Sequence, residues 1–83
     1  MMKEDPADTV RANAAKALGE IGNINSLRAL IESLESDSSS VVRESAAYAI
    51  GMIKDFWSID PLIEALKDPE PGVRANAAYA LGL

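Results

Sequence analysis

Apolar residues recur along this chain at intervals of three and four residues, which is the spacing of one face of an α-helix. The first stripe consists of Val10, Ala14, Ala17, Leu18 and Ile21. It predicts a helix over about residues 8–22, with Asp8 or Thr9 as the N-cap and Gly22-Asn23 as the stop. We expect this stripe to be the face of the helix that meets the core.

Four more stripes of the same kind follow. They predict helices over about residues 25–35, 40–53 and 59–67, and a last helix from the end of Pro69-Glu70-Pro71-Gly72 to the end of the chain. The turns between them are only a few residues long, so consecutive helices must be antiparallel neighbours. The predicted fold class is therefore all-α, a row of about five antiparallel helices arranged as hairpins.

One ten-residue phrase occurs three times, beginning at Val10, Val42 and Val73. The arginines that follow these valines lie 32 and 31 residues apart. A fixed period of this size indicates one helical unit stacked on copies of itself, because a single unit cannot bury its own apolar face. We therefore interpret residues 1–83 as a single repeat domain that acts by surface recognition.

Small residues recur inside the phrase. Each copy carries an alanine pair, which supplies small side chains where helices approach closely, and each ends on a glycine: Gly19, Gly51 and Gly82. Glycine inside a helix costs about 1 kcal/mol relative to alanine. We therefore expect each of the three glycines to mark a close contact with a neighbouring helix.

Composition narrows the function classes. The net charge is −5, and three of the 8 basic residues are the repeated arginines, so neither nucleic acid nor a membrane is an expected partner. The chain contains no His and no Cys, which removes the commonest acid–base group, the soft metal ligands and any thiol nucleophile. We expect no enzyme activity, no metal and no cofactor. No apolar run is long enough for a membrane span and the start lacks a signal core, so we expect a cytoplasmic protein.

The first repeat reads Asp-Pro-x-x-x-Val-Arg-x-x-Ala-Ala-x-Ala-Leu-Gly-x-Ile-Gly, followed by x-Leu-Ile-x-x-Leu. This pattern resembles HEAT repeats of the phycobilisome (PBS) lyase-like class over essentially residues 5–83. The resemblance implies an α-α superhelix, a HEAT-like solenoid, in which each repeat is an outer helix followed by an inner helix. The chain would then hold two full repeats plus an N-terminal half repeat.

The resemblance also places an inner helix at each end of the chain, so that neither end carries a polar capping repeat. We expect either a fragment of a longer array or a minimal array with uncapped ends, whose copies associate through the terminal helices. In both cases we expect apolar surface to be exposed on an isolated copy.

An aspartate precedes each repeated arginine by six residues. The pairs are Asp5 with Arg11, Asp37 with Arg43, and Asp68 with Arg74. We expect a structural salt-bridge ladder between adjacent repeats, which the resemblance also implies. The alternative is that these arginines bind an anionic ligand, but they recur in step with the packing residues, and this favours the structural role.

Positions that differ between the copies are free to specialise. Helical spacing places them opposite the core, and stacking aligns them into one strip, which the resemblance implies is the concave surface where partners dock. The strip comprises Asn13, Lys16, Glu20, Glu44, Ser45, Tyr48, Met52, Asn76 and Tyr79, with Ala12, Ala75 and Leu83 at further variable positions. Its two tyrosines are equivalent, and tyrosine suits recognition because it offers area and a hydroxyl at low entropic cost. The alternative is that they only cover their own helices.

Phe56 and Trp57 precede the fourth helix, where the first copy carries Ile24 and Asn25. We expect Phe56 to pack as a hydrophobic staple onto the following helix, with Ile24 as a precedent. Trp57 has no such precedent and is expected to be half exposed. Contact with a partner is the alternative for both aromatic residues.

Three functions are compatible with these observations. The preferred one is a non-catalytic scaffold that binds a protein partner, which the sequence does not identify, on the concave strip. The second rests on the resemblance alone and is a component of a bilin or chromophore lyase-type assembly. The third is a self-associating structural module, a homo-oligomer joined through its terminal helices.

Overall fold

The computed structural model describes residues 6–83, without the side chain of Pro6. This part of the chain contains five α-helices and no strand: α1 (Pro6–Ile21), α2 (Leu27–Ser36), α3 (Ser40–Ile53), α4 (Ile59–Ala65) and α5 (Pro71–Leu81). A short 3₁₀ turn precedes α2 (Ile24–Ser26) and another precedes α4 (Phe56–Ser58). The all-α fold class and all five helices are confirmed.

The helices form two layers. The inner layer consists of α1, α3 and α5, which lie side by side, with α3 in contact with both of the others. The outer layer consists of α2 and α4, and each of these packs on the inner helix that follows it in the chain. The chain is therefore two full repeats, α2–α3 and α4–α5, with α1 as a half repeat in front of them, as predicted.

The core lies between the two layers. Leu27, Leu30 and Leu34 point from α2 into a cluster with Ala46 and Ile50 of α3. The cluster continues into the second repeat through Leu62, Ala65, Val73 and Ala77. Burying large aliphatic side chains of the outer helices against small side chains of the inner helices brings the layers close together.

The predicted N-cap of α1 differs from the observed start of the helix. Helix α1 begins at Pro6 rather than at an N-cap formed by Asp8 or Thr9, because proline is well suited to a first turn. Asp8 lies inside that turn and bonds to Arg11. Helix α3 begins at Ser40, as predicted, but the side chain of its N-cap residue, Ser39, makes no capping bond. The Oδ1 of Asp37 accepts the N–H of Ser39 instead.

The predicted core face of α1 is largely wrong. Val10, Ala14, Ala17 and Ile21 are exposed, and the buried residues of α1 are Ala12, Ala15 and Gly19, with Leu18 partly buried. The reason lies in the layers: α1 packs against α3, and no described outer helix covers its other side. The apolar residues do share one face of α1, but the described residues contain no helix that packs on this face.

Two of the three predicted close contacts at glycine are confirmed. A Cβ on Gly19 would lie 2.5 Å from the Cα of Ala49, and one on Gly51 would lie 2.8 Å from the Cβ of Ala80. Inner helices therefore approach each other backbone to backbone at these points. Gly82 was predicted to behave in the same way, but it caps α5 at φ 83° and nothing lies within 4 Å of its would-be Cβ.

Candidate functional site

The inner layer forms an open groove on its surface, which we call the inner groove. It is lined by Lys16 from α1, by Glu44, Ser45 and Tyr48 from α3, and by Asn76 from α5, and it measures about 350 Å³. All five residues belong to the predicted strip, and they come from three different repeats because the inner helices lie side by side. The groove therefore exists only in the stacked array.

Hydrogen bonding fixes the walls of the inner groove. The Nδ2 of Asn76 donates to the backbone carbonyl of Glu44 at 2.9 Å, which ties α5 to α3. The carboxylate of Glu44 lies beside Gly72, in the first turn of α5, close to where a Cβ on that residue would be. Lys16 and Tyr48 are exposed on the same surface. The groove thus combines a polar wall that is fixed by a hydrogen bond with two side chains that solvent can reach, the ammonium of Lys16 and the phenol of Tyr48.

The remaining strip residues are spread more widely. Asn13, Glu20 and Met52 are exposed but do not line the inner groove. Tyr79 is 79% exposed, against 38% for Tyr48, and it lines a different groove beside Phe56. The two equivalent tyrosines are therefore on the surface of the inner layer, but they do not share one groove.

The variable position at Ala12 does not belong to an exposed strip. Ala12 is buried, because this side of α1 faces α3. Its equivalent Ala75 is exposed on α5, where no described inner helix follows. Residues at this position therefore face the next repeat, and only the last copy leaves its residue open.

The predicted staple at Phe56 is wrong. Phe56 is 76% exposed and Trp57 is 75% exposed, so both aromatic rings lie on the surface, in an edge-to-face contact 6.1 Å apart. The 3₁₀ turn gives the inward position to Ser58, whose Oγ donates to the carbonyl of Asp55 at 2.6 Å. Ser58 is the buried residue of this turn, and the two rings before it remain on the surface.

Trp57 borders a groove along the outer layer that the sequence reasoning missed. The other walls come from Ile24 and from α2, at Leu27, Arg28, Ile31 and Glu32. The spacing of these residues, three and four apart, is the signal that could have placed them on one face. What the sequence does not reveal is that Trp57, from the next repeat, stands beside them.

The aspartate–arginine pairs join adjacent repeats. The Nε of Arg11 donates to Oδ2 of Asp37 at 2.9 Å, and its Nη2 donates to Oδ1 at 3.0 Å. The Nε of Arg43 donates to Oδ2 of Asp68 at 2.9 Å in the same way, one repeat further on. Bidentate pairs of this kind hold both the distance and the orientation of the two groups.

The spacing of six residues between an aspartate and the following arginine also allows the arginine to bind the backbone carbonyl of that aspartate. The Nη1 of Arg43 donates to the backbone carbonyl of Asp37, and the Nη1 of Arg74 donates to that of Asp68, each at 2.8 Å. Arg43 and Arg74 therefore bind the backbone of their own repeat, and Arg11 and Arg43 bind the carboxylate of the next one. Asp5, predicted to pair with Arg11, lies outside the described residues.

These contacts shift the acidity of the carboxyl groups. The hydrogen bond from Arg11 is the main cause that holds the pKa of Asp37 below its ordinary value, against burial, which raises it. Burial raises the pKa of Asp68 as well, but hydrogen bonds from Arg43 and from the Glu70 N–H, together with the nearby arginine charges, lower it overall. Both carboxyl groups therefore stay ionised at neutral pH.

The charged side chains of Arg11, Asp37, Arg43 and Asp68 join adjacent repeats. Within residues 6–83, no group of three or more acidic side chains comes together as a metal site would require. In the same part of the chain, no helix is both long and apolar enough to cross a bilayer.

A family model for HEAT repeats matches residues 1–51 and matches again over residues 28–83. The two matches together cover the whole chain and overlap in the first full repeat. The chain therefore belongs to the HEAT repeat family. HEAT repeats generally mediate protein–protein interaction and are typically non-catalytic scaffolds. A comparison with curated proteins found no match.

Proposed function

We propose that this chain is a non-catalytic scaffold whose inner groove binds a segment of a protein partner. The observation that carries the proposal is the convergence of Lys16, Glu44, Ser45, Tyr48 and Asn76, from three repeats, on one open surface. The wall is held by the bond from Asn76 to Glu44, so little ordering is needed when a partner binds. Family membership supports the same general role.

The groove favours a polar partner segment. Lys16 offers three donors, Tyr48 offers a hydroxyl with an aromatic face, and Glu44 offers a carboxylate. These groups fit an extended segment or a loop that brings one acidic group and one apolar side chain to the surface. Lys16 is the cation among the residues that line this groove, so it is the group that would pair with an acidic side chain of the partner.

The proposal is tested by finding the partner through the groove and then measuring its affinity. A photoreactive residue in place of Tyr48 captures the partner, and a variant carrying it at Arg28, on the outer layer, serves as the control. With the purified partner, we expect Tyr48→Ala to weaken binding by about 1 kcal/mol or more, whereas Tyr79→Ala, which changes a different groove, should bind normally. Melting temperatures should hardly change, because both side chains are exposed. Normal binding by Tyr48→Ala would contradict the inner groove as the site.

The alternative role in a bilin or chromophore lyase-type assembly is less well supported, because the family match is to HEAT repeats in general. Incubation with a bilin and an acceptor protein tests it directly. A thioether-linked product would favour the lyase-type role over the scaffold.

A further inference from the structure

Helix α1 carries an apolar face that none of the described helices covers. Val10 is 67% exposed and Ile21 is 72% exposed, and Ala14 and Ala17 lie exposed between them. The equivalents of Val10 in the two full repeats, Val42 and Val73, are 1% and 0% exposed. The same residue type at the same repeat position is therefore buried twice and open once.

The next repeat shows what normally fills this position. Ala46 and Ile50 of α3, with Ala65 of α4, lie in one cluster with three leucines of α2: Leu27, Leu30 and Leu34. An outer helix thus sits over its own inner helix and beside the following outer helix, and it inserts large aliphatic side chains between them.

The α1–α2 groove presents the same position without an occupant helix from the described chain. It is lined by Arg11, Ala14, Ala15 and Leu18 from α1 and by Ala29, Leu30 and Ser33 from α2. The charge of Arg11 is paired with Asp8 and Asp37. In the repeat alignment, Ala14, Leu18 and Ser33 correspond to Ala46, Ile50 and Ala65, which lie in one buried cluster with the α2 leucines. The groove is therefore a second copy of a known helix-binding surface.

We propose that the α1–α2 groove binds an amphipathic helix of another protein in the position of an outer helix. The helix would present the pattern Leu-x-x-Leu-x-x-x-Leu, because α2 fills the equivalent position with leucines at that spacing. This is recognition of an apolar helix face by a groove between helices. The site is separate from the inner groove and does not depend on a partner binding there.

A second copy of the folded chain is a poorer occupant. The leucines of its α2 are already buried against its own α3, so it has no free leucine stripe to offer. Its α4 exposes only Ile59 and Ile63 among large aliphatic side chains, both less than half exposed. The leucines of a helix from another protein would not already be buried in this way.

The test uses a peptide that copies α2. A labelled peptide with the sequence of residues 23–36 is closed into a helix by a lactam between position 28, changed to Lys, and Glu32, since a free helix of this length is marginal in water. Both positions are exposed in the chain. Binding to the full 83-residue protein is followed by fluorescence anisotropy. A peptide of the same design with Leu30→Asp is the negative control.

The protein variants are Ala14→Glu and its matched control Ala75→Glu. Ala14 is exposed in the groove, whereas Ala75 is exposed on α5, where the equivalent residue of α3 is already a glutamate, Glu44. We expect Ala14→Glu to weaken peptide binding at least about tenfold, because it places a charge against apolar side chains. Ala75→Glu and Tyr48→Ala should bind the peptide as the unchanged protein does. Circular dichroism verifies that each variant is folded.

Each other outcome overturns the proposal. No binding by the folded protein, or equal binding by Ala14→Glu and Ala75→Glu, removes the groove as the site. Loss of peptide binding in Tyr48→Ala moves the site to the inner groove. A concentration-dependent increase in mass that Ala14→Glu abolishes, without peptide binding, identifies a second copy as the occupant. The proposed scaffold function is judged separately, by the effect of Tyr48→Ala on its own partner.

Discussion

Single residues set the distance between the repeats. At Gly19 and Gly51 the missing side chain lets the next inner helix approach within the space that a Cβ would need. Both glycines lie inside helices, where they cost about 1 kcal/mol relative to alanine. The close approach of Ala49 and Ala80 explains why these positions are nevertheless glycine.

Replacing Gly19 with Ala should therefore destabilise the protein, although the same change usually stabilises a helix. The new Cβ would meet the backbone of Ala49, which cannot move freely, and overpacking of this kind costs about 1–3 kcal/mol. After the gain in helix propensity, we expect a net loss of up to about 2 kcal/mol in the free energy of unfolding, measured in urea.

Gly72→Ala is the matched control for that substitution. The group nearest to its would-be Cβ is the carboxylate of Glu44, the flexible end of a side chain, which can turn away. We expect anything from no change to a gain of about 1 kcal/mol. If both alanine variants change stability by the same amount, the close-approach explanation for Gly19 is wrong.

The sequence was informative about some individual residues and not about others. The helical glycines at positions 19 and 51 could be recognised, because glycine needs a reason inside a helix. The exposure of Phe56 could not be predicted, because the inward position of its turn goes to Ser58 through a bond to a backbone carbonyl. The apolar period alone did not predict the exposure of Val10, because Val10 holds the same position in the repeated phrase as the buried Val42.

At the scale of elements, the turns between α2 and α3 and between α4 and α5 carry the charged contacts. The carboxylates of Asp37 and Asp68 each accept hydrogen bonds from an arginine of the preceding repeat. Each also accepts a hydrogen bond from a backbone N–H of its own turn, that of Ser39 for Asp37 and that of Glu70 for Asp68. One carboxylate therefore both closes a turn and joins two repeats. The turn between α3 and α4 carries the exposed rings of Phe56 and Trp57 instead.

This arrangement predicts a loss of stability in acid. The carboxyl groups of Asp37 and Asp68 have lowered pKa values in the folded chain, whereas an aspartate in an unfolded chain has a pKa of about 3.9. Below that value the unfolded chain binds more protons, so the free energy of unfolding falls as the pH drops through the lowered folded pKa. The contribution should be fully present above about pH 5.

The measurement is the urea midpoint of Asp68→Asn as a function of pH, compared with that of the unchanged protein. The variant should be less stable at neutral pH and should lose less on acidification, because it lacks one of the two carboxyl groups. Glu35→Gln, at an exposed residue near the end of α2, should follow the unchanged protein. A variant that is as acid-sensitive as the unchanged protein would show that Asp68 carries no such contribution.

The helix ends were predicted to within about two residues, because each helix carries an apolar period and turn residues separate consecutive helices. The pairing of residues in the salt-bridge ladder was predicted less well. Spacing identified Arg43 and Asp68 as members, but a one-dimensional pattern does not say whether an arginine reaches the carboxylate of its own repeat or of the next. That choice depends on how far α3 is shifted along α5, which only the packed helices determine.

For the whole molecule, the central inner helix is the best-protected element. Helix α3 has α1 on one side, α5 on the other and α2 on its outer face, and Ala46, Ala47, Ala49 and Ile50 are completely buried. Helices α1 and α5, at the two ends of the inner layer, each have one side that no described helix covers. In a repeat protein, stability is a sum over neighbouring contacts, so it should differ between these helices.

Amide hydrogen exchange tests this difference. We expect the slowest exchange in α3 and exchange at least about tenfold faster in α1 and α5, which can open without breaking the central contacts. Equal protection in the three inner helices would mean that the array opens only as a single unit. The overall stacking could be predicted from the repeat period, but which helix is protected on all sides follows from the layer contacts.

The ladder contacts and the glycine contacts lie at equivalent positions in successive repeats. A duplicated stretch such as residues 23–54 would bring its own aspartate, arginine and glycine to the points where its neighbours need them. The length of this protein can therefore be changed in whole units of about 32 residues, each adding a further section of inner surface.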